Sequence, residues 1–186
     1  PIIILSFVLL SCSKEEEGET DTITELEGTW KTACYTNSDN TSWIDTLTIA
    51  GNSITGNFEK HSGTSCATDY STEGFNWTFS IGDAVTFSNG TGHKWTVTIG
   101  STYKLTPQSD SAVSAFNSSG SSGECSTRDW ELNTEKECST GSDKGKALLC
   151  LYQLDGNTWY PKCDDNARPS TSDIDTDDAS NTFTKQ

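Results

Sequence analysis

The side chains able to do chemistry in this 186-residue chain are seven cysteines, two histidines and 27 acids. His61 and His93 are isolated and no C-x-x-C occurs, so the spacing does not suit a zinc site. Asp173, Asp175 and Asp177 in "DIDTDD" have the D-x-D-x-D spacing of a calcium loop. Hard oxygen ligands at alternate positions can wrap one ion. The glycine needed at position six is Asp178, however, and the closing glutamate is Thr184. A solvated acidic segment is the better expectation, with these three aspartates as weak calcium candidates. G-x-S-x-G, H-E-x-x-H and a Gly-rich phosphate loop are all absent from the sequence. The residues point to no catalytic machinery and to no cofactor, so the expectation is a non-enzymatic protein.

The cysteines carry more information. Residues 1–11 run "PIIILSFVLLS", then Cys12, then "SKEEEGETD". The ten residues before Ser11, apolar except Ser6, span about 15 Å as a helix, half of a bilayer core. The run therefore fits the apolar part of a secretory signal. Leu9-Leu10-Ser11-Cys12 resembles a lipobox, the cleavage signal of bacterial lipoproteins. That resemblance implies a lipid on Cys12, a membrane attachment through it, and an outer-membrane location with exposure at the cell surface. Residues 12–26 are expected to be an acidic tether: seven acids lie between Glu15 and Glu27, with little to bury. The domain proper is expected over 27–186.

Setting Cys12 aside leaves Cys34, Cys66, Cys125, Cys138, Cys150 and Cys163. An even number in an exported chain points to three disulfides. "CLYQLDGNTWYPKC" reads as strand, Asp-Gly turn, strand. A four-residue loop at 155–158 sets Cys150 opposite Cys163, whereas a two-residue loop would offset them. Cys125 and Cys138 bracket a polar segment, which leaves Cys34 with Cys66.

The elements that must position these residues are strands. "GFNWTFSI", "AVTFS", "HKWTVTI" and "TYKL" alternate apolar with polar residues, the signature of half-buried β structure. Gly51-Asn52, Gly82-Asp83, Asn89-Gly90 and Gly100-Ser101 are the expected turns between them. "SDSAVSAFN" reads as one short helix capped by Ser109 or Ser111, and "NTFTKQ" as a closing strand. Successive antiparallel hairpins with one apolar face predict an all-β up-and-down barrel or a sandwich. Phe75, Trp77, Phe79, Phe87, Trp95 and Tyr103 would then face inward, to fill the core or to line a cup for an apolar ligand. Core filling, with a small cavity at one end, is the favoured outcome. The formal net charge of −15 sits mostly in Glu15–Glu27 and Asp164–Asp178. Nothing in it attracts phosphate, so nucleic acid is not an expected partner.

"LEGTWKTACY" opens the first strand. Gly28-Thr29-Trp30 is similar to the G-x-W motif of the calycins, the lipocalin and fatty-acid-binding barrels. The chain thus resembles bacterial lipocalin-like lipoproteins. The resemblance implies a closed barrel plugged by Trp30, with Arg168 of "NARPS" packed over the indole. It also implies a small hydrophobic ligand. The alternative is a filled barrel that works through its loops, as a surface interaction or inhibitor protein against protein or glycan.

Overall fold

A computed structural model of the chain describes residues 25–118 and 124–186. Cys12, the apolar run and most of the acidic stretch lie outside the described residues. Eight strands close into an antiparallel barrel: β1 (Gly28–Thr32), β3 (Thr41–Ala50), β4 (Ser53–Ser62), β5 (Asp69–Thr86), β6 (Thr91–Thr98), β9 (Ala147–Asp155), β10 (Thr158–Asp164) and β11 (Phe183–Lys185). Each pairs with the next one in this order and β11 returns to β1, so the topology is up-and-down. Closure gives every strand of the ring a neighbour on each side, though β11 covers only Thr158 and Trp159 of β10. β2 (Tyr35–Thr36) pairs with the start of β3 beside the ring.

Between β6 and β9 the chain makes an excursion through β7 (Thr102–Pro107), helix α1 (Asp110–Ser118) and β8 (Lys136–Ser139). β5 is 18 residues long, and one of its edges is shared. Residues 71–75 pair with β7 and residues 78–86 with β6, so the excursion extends the wall without entering the ring. Ser109 caps α1 by accepting a hydrogen bond from the Ala112 amide at 3.2 Å. Ala112, Phe116, Leu105, Trp130 and Cys138 form a second, smaller core under this segment.

The ring is closed at one end and open at the other. Tight turns at Gly51, Gly90 and Gly156, all at positive φ, mark the closed end. There Leu26 is fully buried, and its carbonyl accepts a hydrogen bond from the Trp30 indole at 2.6 Å. Glu25 accepts one from Tyr152 Oη at 2.8 Å. Residues 25 and 26 thus pack onto the barrel. Above this floor the rings of Trp30, Trp95, Trp159, Phe79 and Phe183 interlock, with centroids 5.3–5.7 Å apart.

Three disulfides brace the connections: Cys34–Cys66, Cys125–Cys138 and Cys150–Cys163. They are the pairs suggested by the spacing. The last joins directly opposed residues of β9 and β10, yet the turn has only Gly156 and Asn157 between the paired Asp155 and Thr158. Centring the turn on Gly-Asn, not Asp-Gly, keeps the cysteines in register.

Two expectations on the turns and the inner face need correction. Gly82-Asp83 is not a turn but a bulge inside β5, where the register with β6 shifts between Ile81 and Ala84. One extra residue exchanges the two faces of the strand. Phe87 consequently lies outside, where its ring covers Gly92, and is absent from the barrel core.

Candidate functional site

The open end carries the long connections 33–40, 62–69, 99–146 and 165–182. Inside it is a cleft of about 440 Å³ lined by Trp43, Lys60, Tyr70, Ser71, Glu73, Tyr103, Leu105, Ala115 and Phe116. Strand alternation explains the set. On β3 the inward positions are Trp43, Asp45, Leu47 and Ile49. They pair across β4 with Lys60, Phe58, Gly56 and Ile54. β5 continues the rows with Ser71, Glu73, Phe75 and Trp77. β7 adds Tyr103 opposite Phe75 and Leu105 opposite Glu73. On β4 and β5 the inward row goes from apolar residues at the closed end to Lys60 on β4, and to Glu73 and Ser71 on β5, at the open end.

The walls are held by contacts among the lining residues and behind them. Phe116 stands edge-on to Tyr70 and to Trp130 at 6.2 and 5.3 Å. Asn117 exchanges two hydrogen bonds with the Trp130 backbone, at 3.0 and 2.9 Å, which pins the last turn of α1. The Trp43 indole donates to Thr41 Oγ1 at 3.1 Å. Gly56 has no side chain because the Phe75 ring lies against its Cα, and a Cβ there would overlap the ring.

Beneath the mouth sits a buried acid. Asp45 is 7% exposed. Its Oδ2 accepts a hydrogen bond from Tyr35 Oη at 2.7 Å, and its amide donates to Thr32 Oγ1 at 2.9 Å. Its Oδ1 is buried without a hydrogen-bond partner among the described residues. Burial pushes the Asp45 carboxyl up to about 6, against the lowering effect of the Tyr35 hydrogen bond, with Glu73 and Glu59 adding repulsion. Burial, and then the bond to Asp45, raise the Tyr35 phenol as well. Lys60 extends over two rings, its ammonium 5.1 Å from the Trp43 centroid and 5.5 Å from that of Tyr70.

Of the six aromatic residues expected to line a cup, only Tyr103 lines this cleft. Phe75, Phe79 and Trp95 are buried in the core, and Trp77 stacks on Phe75 at 4.1 Å. Arg168 does not reach Trp30. It donates to the carbonyls of Trp95 and Cys150, and to Thr96 Oγ1 at 3.1 Å on the outer face of β6. The cation over Trp30 is Lys185 of β11, 5.2 Å from the ring centroid. Gly28, at φ 120°, leaves room for that lysine's stem, 3.2 Å from where a Cβ would stand.

The tail aspartates serve local turns. Asp173 accepts from the amide and hydroxyl of Ser170 at 2.7 Å each, and Asp175 from the Asp177 amide at 2.9 Å. Among the described residues no three His, Cys, Asp or Glu converge on a metal position, and no helix is long and apolar enough to cross a membrane.

The residues that sequence reasoning passed over are Trp43, Lys60, Tyr70, Glu73 and Phe116 in the cleft wall and Asp45 beneath it. A signal for two of them was present: Asp45 and Glu73 interrupt otherwise apolar stripes. No protein-family model and no curated protein matches the chain.

Proposed function

We propose that this protein is an exported binding module, anchored by a lipid on Cys12 at the outer membrane, whose barrel takes a small ligand with an apolar body at its open end. The observation that carries the binding function is the cleft itself. Its volume of about 440 Å³ lies in the range of small-molecule sites, which are concave and largely apolar with a few placed polar groups. The filled floor beneath it limits the ligand to the mouth, so the barrel is a shallow cup on a solid base. The anchor rests on the lipobox-like Leu9-Leu10-Ser11-Cys12, and the lipocalin-like ancestry on Gly28-Thr29-Trp30 in the first strand.

The test of binding is titration of the full chain with N-phenyl-1-naphthylamine, a neutral apolar dye, followed by fluorescence. Saturable binding of one dye per chain is expected, and it should be lost in Ala115→Trp, which fills the cleft from the exposed side of α1. Absence of saturation, or binding indifferent to Ala115→Trp, would rule out the cup and favour a barrel that acts through its outer loops. The anchor has its own test: Cys12→Ser should move the protein from the membrane fraction to the soluble one.

A further inference from the structure

Three independent features of the cleft bear on the charge of what it holds. The first is aromatic. Trp43, Tyr70, Tyr103 and Phe116 present ring surface to one space, and aromatic faces attract cations through their quadrupole. The Lys60 ammonium is already seated between two of them, at 5.1 and 5.5 Å. The rings therefore form a seat that a positive group can occupy.

The second feature is the acid below. Asp45 and Glu73 flank Phe58 in one row across β3, β4 and β5. Asp45 Oδ1 is buried without a hydrogen-bond donor among the described residues. A buried carboxylate oxygen left in that condition costs free energy that a nearby positive group would recover.

The third is the local balance of charge. Asp45 and Glu73 lie on the same face of the sheet as Lys60, one row below it. Asp39 stands 3.9 Å from Lys60 at the rim and is largely exposed. One lysine faces three acids, so an anionic ligand entering here would meet net repulsion.

We propose that the ligand of this cleft is an organic cation, a primary or quaternary ammonium carried on an apolar body. This assignment rests on the cleft being a binding site, as argued above. The ammonium takes the place of Lys60 over Trp43 and Tyr70, and faces Asp45 and Glu73. The Lys60 side chain turns outward to Asp39. The apolar body lies against Leu105, Tyr103 and Phe116.

A matched series separates the charge preference from binding as such: octylammonium, octanol and octanoate, each titrated calorimetrically into the full chain below its aggregation concentration. Octylammonium should bind about ten-fold more tightly than octanol, with octanoate weakest. Asp45→Asn should bring octylammonium to within about two-fold of octanol, and Lys60→Gln should strengthen octylammonium by removing its internal competitor. Glu73→Gln, on the accessible wall, should weaken octylammonium in the same direction and provides the comparison if Asp45→Asn unfolds. Equal affinity for all three compounds, or tightest binding of octanoate, would overturn the cation assignment while leaving the cup intact. Failure of all three to bind, together with failure of the neutral dye, would overturn both.

Discussion

Replacing Asp45 by Asn removes a buried charge while keeping the shape and an acceptor for Tyr35. The consequence for stability follows from linkage. An exposed aspartate titrates near 3.8, whereas Asp45 in the folded chain is pushed up to about 6. Between those values the folded chain holds a proton that the unfolded chain has released. Stability therefore falls as pH rises from about 4 to about 6.5, and stays at the lower level above it. A difference of about two pKa units corresponds to about 3 kcal/mol. Asp39, Asp164, Asp173 and Asp178 have the opposite sign, because local hydrogen bonds hold their carboxyls low. Their contribution is present above the ordinary aspartate range and is lost as pH falls through their lowered values, in a different window. Subtracting the variant from the parent cancels them. The assay is urea unfolding followed by tryptophan fluorescence, disulfides intact, from pH 4.5 to 7.5. Relative to the parent, Asp45→Asn should gain about 2–3 kcal/mol across that range. A difference that stays constant within about 0.5 kcal/mol would refute the claim that Asp45 is buried as a strained carboxylate.

Phe116→Ala should cost about 3 kcal/mol in the same urea assay, because it empties the centre of the second core, and it should also weaken dye binding by removing a wall of the cleft. Gly56→Ala should cost about 1–3 kcal/mol through displacement of the Phe75 ring, read as a lower urea midpoint with an unchanged slope. Removing the Cys34–Cys66 bond by double serine substitution should cost about 4 kcal/mol, against about 3 for Cys150–Cys163, since the loops closed span 32 and 13 residues. Arg168→Ala should cost about 1.5–3 kcal/mol by removing charge-assisted bonds to the β6 and β9 carbonyls. Its loss should leave the fluorescence of Trp30 unchanged, unlike Lys185→Ala, in a variant that retains Trp30 as the sole tryptophan contributing to the difference spectrum.

The meander was legible because each barrel strand states its own face in a period of two, and because Gly-containing turns separate the strands. The serines at 109 and 111 marked the helix start, where Ser109 is the one that caps, and "NTFTKQ" marked the closing strand, for the same local reasons. Three features could not be read that way. The bulge at Gly82-Asp83 looks like a hairpin turn in sequence, since a glycine next to an aspartate serves either. Only the pairing partner reveals that the strand continues, and with it the reversal that puts Phe87 outside. The docking of β7 on one half of β5 depends on a long strand offering two partners along one edge, which no local pattern encodes. The exchange of Arg168 for Lys185 over Trp30 depends on where the chain between β10 and β11 travels. In the cleft, Asp45 within "TSWIDTLTI" was the readable sign: an acid in register with Trp43, Leu47 and Ile49 has to be either buried or at a mouth, and here it is both.

The two ends of the barrel divide the work in a way that constrains the proposed anchor. The chain enters at the closed end, where Leu26 plugs the ring and Glu25 meets Tyr152. The cleft opens at the other end, among the long connections. A lipid on Cys12 would therefore pull on the tight-turn end, and the solid aromatic floor would face the membrane. The mouth would face away, toward solutes rather than toward lipid. This arrangement suits capture of a dissolved amphiphile better than extraction of a molecule from the bilayer. It also gives the filled base a physical role. The interlocked rings of Trp30, Trp95 and Trp159 between floor and mouth would separate the cleft from a tether attached at that end. Moving the anchor to the opposite end, by a circular permutation opened in the loop at 62–69 and closed by a linker at the present termini, should leave dye affinity in detergent unchanged. On membranes it should reduce access of the dye added from solution, because the mouth would then face the bilayer. Equal access in both orientations would show that the tether is long enough for either end to reach the solvent, and the orientation argument would fail.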